Sequence, residues 1–471
     1  MTLELQSYTQ QKKIPGPPAL PILGTLPFLY KHQHLVFTEL AEKYGNIFQV
    51  RVFGRNIVVL NGLETIRQAF LKQSEDFAGR PDVPIVKKII NGNNIGGREY
   101  GLLWKRHREI VINAMHMFVV DKTTTFEQQV KKDTIELVNI LLSYKGQPFI
   151  ADMEIYLSIS NIMAKILFGE KYSRNNPDLI ALIKMVQTIN RVGNASMLML
   201  YGPQPPDFLI NFASSIGTKL VSNTLKEHKK SYDPTNLRGM ADALLKAINE
   251  IDDSEKQTLG LTEELVVDGT AQEIMMSSVQ AVPVIAWALL YMIAYPDIQA
   301  QVQEELDRVI GREQTVGYDD RLKLPFTQAC IHEIWRHAVY FSTALPHAAT
   351  RDTSINGYFI PKDTPVYVNL YGLTRDPRYW EEPEIFNPRR FLSKTGEVRE
   401  ELLDLYYPFG LGKRRCFAEY LGRQEIFIFF ANLMHRCKFT KVPGAKLSFE
   451  SQKGATTLPK QRYQVIVNPR F

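Results

Sequence analysis

Cysteine is scarce in this sequence, since the 471 residues contain three, Cys330, Cys416 and Cys437. An odd and widely spaced set differs from the dense, paired cysteines of disulfide-stabilised proteins. The sequence therefore argues against a disulfide framework and favours a reducing compartment.

Long apolar runs and long basic runs are also missing. No stretch of eighteen uninterrupted apolar residues occurs, and the first ten residues, MTLELQSYTQ, are too polar for a signal peptide or a membrane span. The net charge of +6 is not gathered into basic runs, so we expect no nucleic-acid partner. No linker-like segment divides the chain, and 45% hydrophobic residues suffice for a core. We expect one large, mainly α domain with small β regions.

The most informative stretch is Pro408–Gly422, PFGLGKRRCFAEYLG, a loop with one cysteine that leads into a helical pattern. Gly410 and Gly412 permit tight turns and close approach to a flat ligand. Three cations precede Cys416, which stands near the start of the predicted helix, and both features favour a thiolate. A thiolate in such a loop is suited to binding iron.

The spacing Phe409-x-x-Gly412-x-Arg414-x-Cys416-x-Ala418 resembles the haem-binding signature of the cytochrome P-450 superfamily, although the family usually has Gly in place of Ala418. A structural cysteine at a helix start would account for fewer of these residues. The resemblance implies a single-domain cytochrome P-450 fold with haem b between a central helix and the cysteine loop. It also implies that Cys416 is the axial iron ligand and that Arg414 pairs with a haem propionate.

Two other segments are similar to haem-contacting regions of that family. Trp104 and Arg108 stand at i,i+4 spacing, which places an indole N–H and a guanidinium group on one helical face. The pair resembles the family's second propionate clamp, whereas on its own it would suggest a core edge and a solvated face. His347 matches a position at which family members contact a propionate.

A Glu-x-x-Arg pair is followed downstream by a Pro-x-Arg-Phe turn and then by the cysteine loop. In that order they match the family's buried network, here Glu333, Arg336 and Arg390. The implied role is structural, because truncating one member would leave buried charge unpaired.

The predicted central helix, Leu261–Tyr295, departs from the family. Most family oxygenases carry an acid followed by Thr, sixteen residues before the proline that ends this helix. Counting back from Pro296 gives Gln280, preceded by Val279, with Ser277 among the nearby polar groups. The usual acid and alcohol relay protons during oxygen activation, but an amide does not titrate. We therefore expect an atypical distal oxygen site formed by these three residues.

Two more residues of the central stretch bear on this site. Pro283 removes one backbone hydrogen bond and should bend the helix, which would open a groove that glycine usually provides. Glu273 is a carboxyl group almost two turns away. A similar loss of acid and alcohol is seen in Spook-like ecdysteroid-making enzymes and in hydroperoxide or endoperoxide isomerases and dehydratases.

Patterns elsewhere predict local structure. Val36–Tyr44 should be a short helix, and Ile47–Leu60 a hairpin. Short strands are expected within Thr353–Leu370. A final hairpin should pair Phe449–Pro459 with Tyr463–Val467, and residues 239–262 should be exposed because they mix charged and turn residues.

The N-terminal residues 1–27 are polar and proline-rich, and residues 28–471 form the predicted catalytic domain. Lys12–Pro18 resembles the hinge that follows the membrane anchor of microsomal members, so we expect an anchor ahead of it and a location on the cytosolic face of the endoplasmic reticulum membrane. The apolar cluster Phe208–Phe212 follows a proline-rich loop. It is expected either to contact the membrane surface or cover the pocket, or to pack on a neighbouring helix.

The leading functional prediction is a microsomal haem-thiolate monooxygenase of the animal drug- and steroid-hydroxylating group. It would insert one oxygen atom from O2 into a lipophilic sterol or steroid, fatty acid or xenobiotic, since segments at Ile85–Ile95 and Ser196–Phe212 and at Ala344 offer an apolar pocket. Electrons would come from NADPH through cytochrome P-450 reductase, with cytochrome b5 as a further candidate partner.

Cations near the sulfur and on the Trp104 helix are expected to receive this acidic reductase; they are Lys413, Arg415, Lys105 and Arg106. Two alternatives remain open, because a fold resemblance does not settle chemistry. One is a peroxide isomerase or dehydratase that needs no reductase. The other is a catalytically silent haem protein.

Overall fold

Most of the chain folds into α-helices, because apolar residues recur at the three- and four-residue spacing that gives a helix one buried face. The computed structural model describes residues 12–29, 32–84, 87, 94–120, 123–192, 196–278, 280–451 and 457–471. Within these ranges the helices are α1 (Gln33–Tyr44), α2 (Leu63–Arg67), α3 (Leu102–Met115), α4 (Thr123–Ser143), α5 (Asp152–Phe168), α6 (Pro177–Val192), α7 (Ser196–Tyr201), α8 (Asp207–Lys230), α9 (Met240–Glu250), α10 (Asp253–Leu259), α11 (Thr270–Ser278), α12 (Ala281–Ala294), α13 (Pro296–Val309), α14 (Pro325–Ala338), α15 (Leu370–Thr374) and α16 (Glu419–Arg436).

Small sheets complete the described part of the chain. Their strands are β1 (Ile47–Val52), β2 (Arg55–Leu60), β3 (His347–Ala348), β4 (Thr353–Ile355), β5 (Tyr358–Ile360), β6 (Pro365–Val368), β7 (Cys437–Lys441) and β8 (Val465–Pro469). The first sheet has the order β1-β2-β6-β3, in which β2 and β6 run parallel and the other pairs are antiparallel. The pairs β4–β5 and β7–β8 form separate antiparallel ribbons. The predicted N-terminal hairpin and α1 are both confirmed.

The proline-rich residues 12–25 lie against β1. The Thr25 amide donates to the Arg51 carbonyl (2.6 Å). A Cβ on Gly24, whose φ is +65°, would lie 2.0 Å from that same oxygen, and a Cβ on Gly16 would meet another β1 carbonyl at 2.0 Å. Glycine is therefore required at both positions, and the segment is fixed to the sheet.

The central helical stretch is the core of the molecule. Helix α12 buries every residue from Val282 to Ile293 and packs against α5, α14 and α16. The whole stretch Glu264–Ala294 is long and apolar enough to cross a membrane, but 71% of its most apolar window is buried inside the protein. Burial of this kind is what the core helix of a folded domain shows.

The central stretch is interrupted, but not by the bend that Pro283 was expected to cause. It begins with a π-helical segment, Glu264–Gly269, continues as α11, and resumes as α12 after a turn at Gln280. Pro283 is the third residue of α12, within the first turn, where a missing N–H leaves no hydrogen bond unmade. The axis is therefore broken ahead of Pro283 and not bent inside a continuous helix.

A buried ion network ties α14 to the turns that follow it. Glu333 and Arg336 are both fully buried and form two hydrogen bonds, Nε to Oε2 at 2.7 Å and Nη2 to Oε1 at 2.8 Å. Arg390 Nε reaches the same carboxylate at 3.2 Å, and the Asn387 amide donates to it at 2.8 Å. The structure thus brings together all three residues of the predicted network.

Two predictions of local structure are wrong, one of them in part. The exposure predicted for residues 239–262 is wrong for α9, which buries Met240, Leu244 and Ile248, an i,i+4 stripe that neighbouring charged residues obscured. It is right for α10, which buries none of its residues. The final strand β8 pairs with β7 and not with Phe449–Pro459, of which residues 452–456 lie outside the described ranges. Sequence patterns locate strands, but pairing depends on contacts that are distant along the chain.

Candidate active site around Cys416

The cysteine loop is closed by one backbone hydrogen bond, from the Cys416 amide to the Phe409 carbonyl (2.9 Å). Gly410 and Gly412 have φ values of +72° and +71°, in the left-handed region that favours glycine. A Cβ on Gly412 would lie 2.1 Å from the Phe70 carbonyl oxygen, whereas a Cβ on Gly410 would meet nothing within 4 Å. Gly412 therefore allows the loop to pack against the π-helical segment Gln68–Lys72.

The Cys416 sulfur is in a desolvating environment. Loss of solvation raises the pKa of its thiol, a backbone hydrogen bond from Ala418 opposes this shift, and the Arg108 guanidinium does so more weakly. The side chain nevertheless retains accessible surface. A group that is both accessible and desolvated faces a cleft inside the protein and not the bulk solvent.

The prediction that flanking cations favour a thiolate is right in direction for Arg415, since its charge and that of a thiolate attract each other, but desolvation keeps the pKa of the Cys416 thiol raised. Arg415 forms an ion pair with Glu419, with Nη2 2.8 Å from Oε1, and the carboxylate adds to the raised pKa of Cys416. Lys413 is directed to Glu75 at 3.8 Å. Because Lys413 and Arg415 each have an acidic partner, their field at the sulfur is reduced.

Trp104 and Arg414 meet at one carbonyl group. The buried Trp104 indole donates to the Ile95 carbonyl at 2.9 Å. Arg414 donates from Nη1 to the same oxygen at 3.1 Å and from Nε to the Ala78 carbonyl at 2.6 Å. Its guanidinium carbon lies 4.4 Å from the centroid of the Trp104 ring. These contacts connect the cysteine loop to Ala78 and Ile95.

The other two predicted clamp residues lie beside them. Arg108 Nη2 donates to the Arg415 carbonyl at 2.7 Å, and its guanidinium is 5.5 Å from the Trp104 ring centroid. His347 is buried and its Nδ1 lies 2.8 Å from the Phe77 carbonyl. Burial lowers the pKa of His347 well below its ordinary value, and nearby arginines lower it further. The imidazole is therefore neutral and donates from Nδ1.

Arg80 is a site residue that the sequence did not reveal. Its Nε donates to the Gly96 carbonyl at 2.7 Å and its Nη1 to the Pro346 carbonyl at 2.9 Å, next to His347. Desolvation lowers the pKa of Arg80 to about 10, and only Glu273 opposes the shift. Its sequence signal was an arginine between glycine and proline at the start of a long loop, which was too weak to indicate a role.

The distal residues lie at the break in the central helix. The backbone amide of Gln280 donates to the Ser277 carbonyl at 3.0 Å, and this bond forms the turn between α11 and α12. The Tyr340 hydroxyl donates to Gln280 Oε1. Ser277 Oγ donates to the Ile274 carbonyl of its own helix at 3.4 Å. Val279 lies outside the described residues.

Glu273 does not lie free in the distal site. Its carboxylate accepts the amides of Ile95 and Gly96 at 2.7 and 2.8 Å. Burial raises its pKa in spite of these two bonds. Glu273 therefore anchors the segment that also accepts hydrogen bonds from Trp104 and Arg414.

Comparison with known proteins decides the family. The family model for cytochrome P450 matches residues 14–467, nearly the whole chain. The chain belongs to the cytochrome P450 family. It is a haem-dependent monooxygenase, an oxidoreductase, and the cofactor of this family is haem b held by a cysteine thiolate.

Curated relatives match over a similar length. Cytochrome P450 1A1 of Oncorhynchus mykiss is 33% identical over 470 residues, which cover 96% of this chain and 89% of the relative. Cytochrome P450 1A5 of Gallus gallus is 33% identical over 475 residues, with 97% and 90% coverage. Cytochrome P450 1A1 of Cavia porcellus is 32% identical over 461 residues, with 94% and 89% coverage.

The residues of this P450 fit a flat dianionic group such as haem. Arg80, Arg108 and Arg414 all have desolvated guanidinium groups, and burial with the two neighbouring arginines lowers the pKa of Arg414 to about 8. Among the described residues, none of the three forms a salt bridge, and Glu273 is the acidic group that raises the pKa of each. Two propionates would supply the missing negative charge.

We predict that Gly412→Ala destabilises this P450 much more than Gly410→Ala. Both positions require a left-handed backbone, which costs about 1–2 kcal/mol for alanine. A Cβ on Gly412 must also displace the Phe70 carbonyl. Denaturant unfolding of the two variants should therefore show a larger loss for Gly412→Ala, together with loss of bound haem. Equal losses would show that the contact with Phe70 is unimportant.

Proposed function

We propose that this P450 inserts one oxygen atom from O2 into a lipophilic substrate, with electrons from NADPH delivered by cytochrome P450 reductase, and that Cys416 is its axial iron ligand. The observation that carries the proposal is the meeting of Cys416 with three uncompensated arginines in one internal cleft. When bound there, haem with a thiolate ligand supplies the oxygen chemistry.

The protein residues then have separate tasks. Arg80, Arg108 and Arg414 would hold the propionates. Trp104 and His347 position this set, because the indole donates to the Ile95 carbonyl and the imidazole to the Phe77 carbonyl. Phe409 and Gly412 shape the loop that holds the Cys416 sulfur in place. Binding of a cation such as iron favours the thiolate, which offsets the desolvation that raises the pKa of the free thiol.

Cations on the proximal surface support electron delivery less strongly than the sequence suggested. Lys105 is paired with Glu75 at 3.3 Å, and Arg106 lies 2.8 Å from Glu255 and 3.1 Å from Glu109. These acidic partners weaken any attraction of a reductase to this face, although exposed pairs exchange readily with solvent. Reductase docking at this surface and an additional role for cytochrome b5 stay predictions.

The membrane proposal rests on exposed apolar side chains. Phe208 and Phe212 at the start of α8 are 69% and 65% exposed, and Ile22 of the N-terminal segment is 83% exposed. Ile210, between the two phenylalanines, packs into a cluster that also contacts Leu26. The exposed side chains of α8 and of the N-terminal segment therefore lie next to the same hydrophobic cluster. A single face that rests on the endoplasmic reticulum membrane would require this proximity.

A second function is supported by the distal residues. Gln280 and Ser277 cannot replace an acid as a proton source, because neither titrates near neutral pH. A peroxide isomerase or dehydratase would need no such proton source, since its substrate arrives with the O–O bond in place. Hydroperoxide rearrangement is therefore the alternative to oxygenation.

We predict that Cys416→Ala abolishes both turnover and the absorption band that marks a thiolate-ligated reduced carbonyl complex. The matched control is Cys437→Ala in β7, which removes a buried thiol distant along the chain from the loop. That variant should keep the band and the activity. Survival of the band in Cys416→Ala would contradict the assignment of the ligand.

Oxygenation and rearrangement can be separated with two substrate panels. One contains lipophilic compounds with NADPH and reductase, and the other contains lipid hydroperoxides without either. We expect turnover in the first panel. Restoring an acid and an alcohol through Val279→Asp and Gln280→Thr should raise the product formed per NADPH consumed, by up to about a hundredfold. Turnover confined to the hydroperoxides would favour the isomerase.

Binding to phosphatidylcholine vesicles tests the membrane face. Replacing Phe208 and Phe212 with Ser should lower the partition coefficient by about tenfold or more, because each phenyl ring contributes roughly 1.5–3 kcal/mol on burial. Leu322→Ser is the control, since Leu322 is 73% exposed outside this surface. Equal binding of both variants would contradict the proposed orientation.

A further inference from the structure

Gln280 is held by a residue from a distant part of the chain. It occupies the turn between α11 and α12, with backbone angles φ −72° and ψ −14°, and its side chain does not cap the helix that follows. Instead its Oε1 accepts the hydroxyl hydrogen of Tyr340, sixty positions later. The side-chain amide oxygen is therefore engaged, and within the described part of the chain the two Nε2 hydrogens have no acceptor.

The direction of the Tyr340 side chain is imposed by a strained residue. Val339 ends α14 in the left-handed region, with φ +40° and ψ 62°, and its amide donates to the Trp335 carbonyl at 3.2 Å. A β-branched residue adopts this conformation rarely, and such outliers persist where the surroundings hold them. The turn at Val339 takes Tyr340 off the helix axis and toward Gln280.

A ring of hydrogen bonds holds this strained turn. Thr457 is buried; its hydroxyl donates to the Ala338 carbonyl and lies 3.1 Å from the Val339 carbonyl, and its backbone amide donates to the Tyr340 carbonyl at 2.8 Å. The Trp287 indole donates to the Thr457 carbonyl at 2.7 Å. Trp287 stands seven residues after Gln280, which is two turns along α12 on the same face. The hydrogen bonds therefore run from Gln280 through Tyr340 and Thr457 to Trp287, and both end residues lie on one face of the central helix.

We propose that Tyr340 is the positioning residue of the distal oxygen site, and that its hydroxyl fixes the Gln280 amide so that Nε2 donates into the cleft. The proposal rests on the oxygenase function. It replaces the usual acid and alcohol with a fixed amide donor, which holds a water molecule or the substrate's own hydroxyl as the proton source. Tyr340 acts through Gln280 and is not itself required to touch substrate.

The test combines Tyr340→Phe, Gln280→Leu and the double variant. The first readout is the C–O stretching frequency of the reduced carbonyl complex, which reports polar donors beside the ligand and needs no turnover. Tyr340→Phe should shift and broaden this band because the amide is free to rotate. The double variant should match Gln280→Leu alone, since residues that act as a unit are not additive.

The second readout is product formed per NADPH consumed, which should fall about fivefold in Tyr340→Phe, the effect of one hydrogen bond. Tyr463→Phe is the matched control, because its buried hydroxyl donates to the Ala286 carbonyl on the same helix. That variant should keep the wild-type frequency and coupling while losing similar stability. Retained haem content and circular dichroism establish that each variant is folded.

The outcomes separate the two proposals. An unshifted carbonyl band in Tyr340→Phe, or additive effects of the two substitutions, overturns the positioning role whatever the enzyme oxidises. The other outcome is that the carbonyl band shifts in Tyr340→Phe and the double variant matches Gln280→Leu, but no NADPH-dependent product forms. That result overturns the oxygenase function and leaves the Tyr340–Gln280 unit established.

Discussion

Uncompensated positive charge is the constraint on which the cleft depends. Three desolvated guanidinium groups, of Arg80, Arg108 and Arg414, share the influence of one acidic group, Glu273. Backbone carbonyls accept their hydrogen bonds, but a carbonyl dipole compensates a buried cation only in part. The surrounding architecture follows from this requirement: glycine at position 412 brings the loop close, and Ala78, Ile95 and Arg98 supply the carbonyls that accept from Arg414.

The parts of the site that could be read from the sequence are those encoded by short spacing. Trp104 and Arg108 lie on one helix, Glu333 and Arg336 on another, and the cysteine loop is contiguous, so local geometry places each group. Contacts between distant segments could not be read in this way. The bond between Tyr340 and Gln280 depends on a strained turn at Val339, a residue whose sequence gives no sign of a left-handed conformation. The prediction of the strand that pairs with β8 was wrong for the same reason.

Membership of the family does not by itself specify the distal chemistry. The relatives match at 32–33% identity over nearly their whole length, so the fold and the cofactor are shared. In the proposed distal site, the Gln280 amide in place of an alcohol changes what the site can do: it can orient a proton donor but does not itself titrate. The substrate therefore gains importance, because a hydroxyl group on it could supply the function that the protein side chains lack.

The attachment of residues 12–25 to β1 has a geometric consequence. With Gly16 and Gly24 in backbone contact with the strand, the segment carrying Ile22 cannot swing independently of the sheet. Any lipid surface that receives Ile22 and Phe208 together must meet the domain at one tilt, set by the protein and not by a tether. The cleft beside Cys416 would then keep one fixed orientation relative to the lipid headgroups.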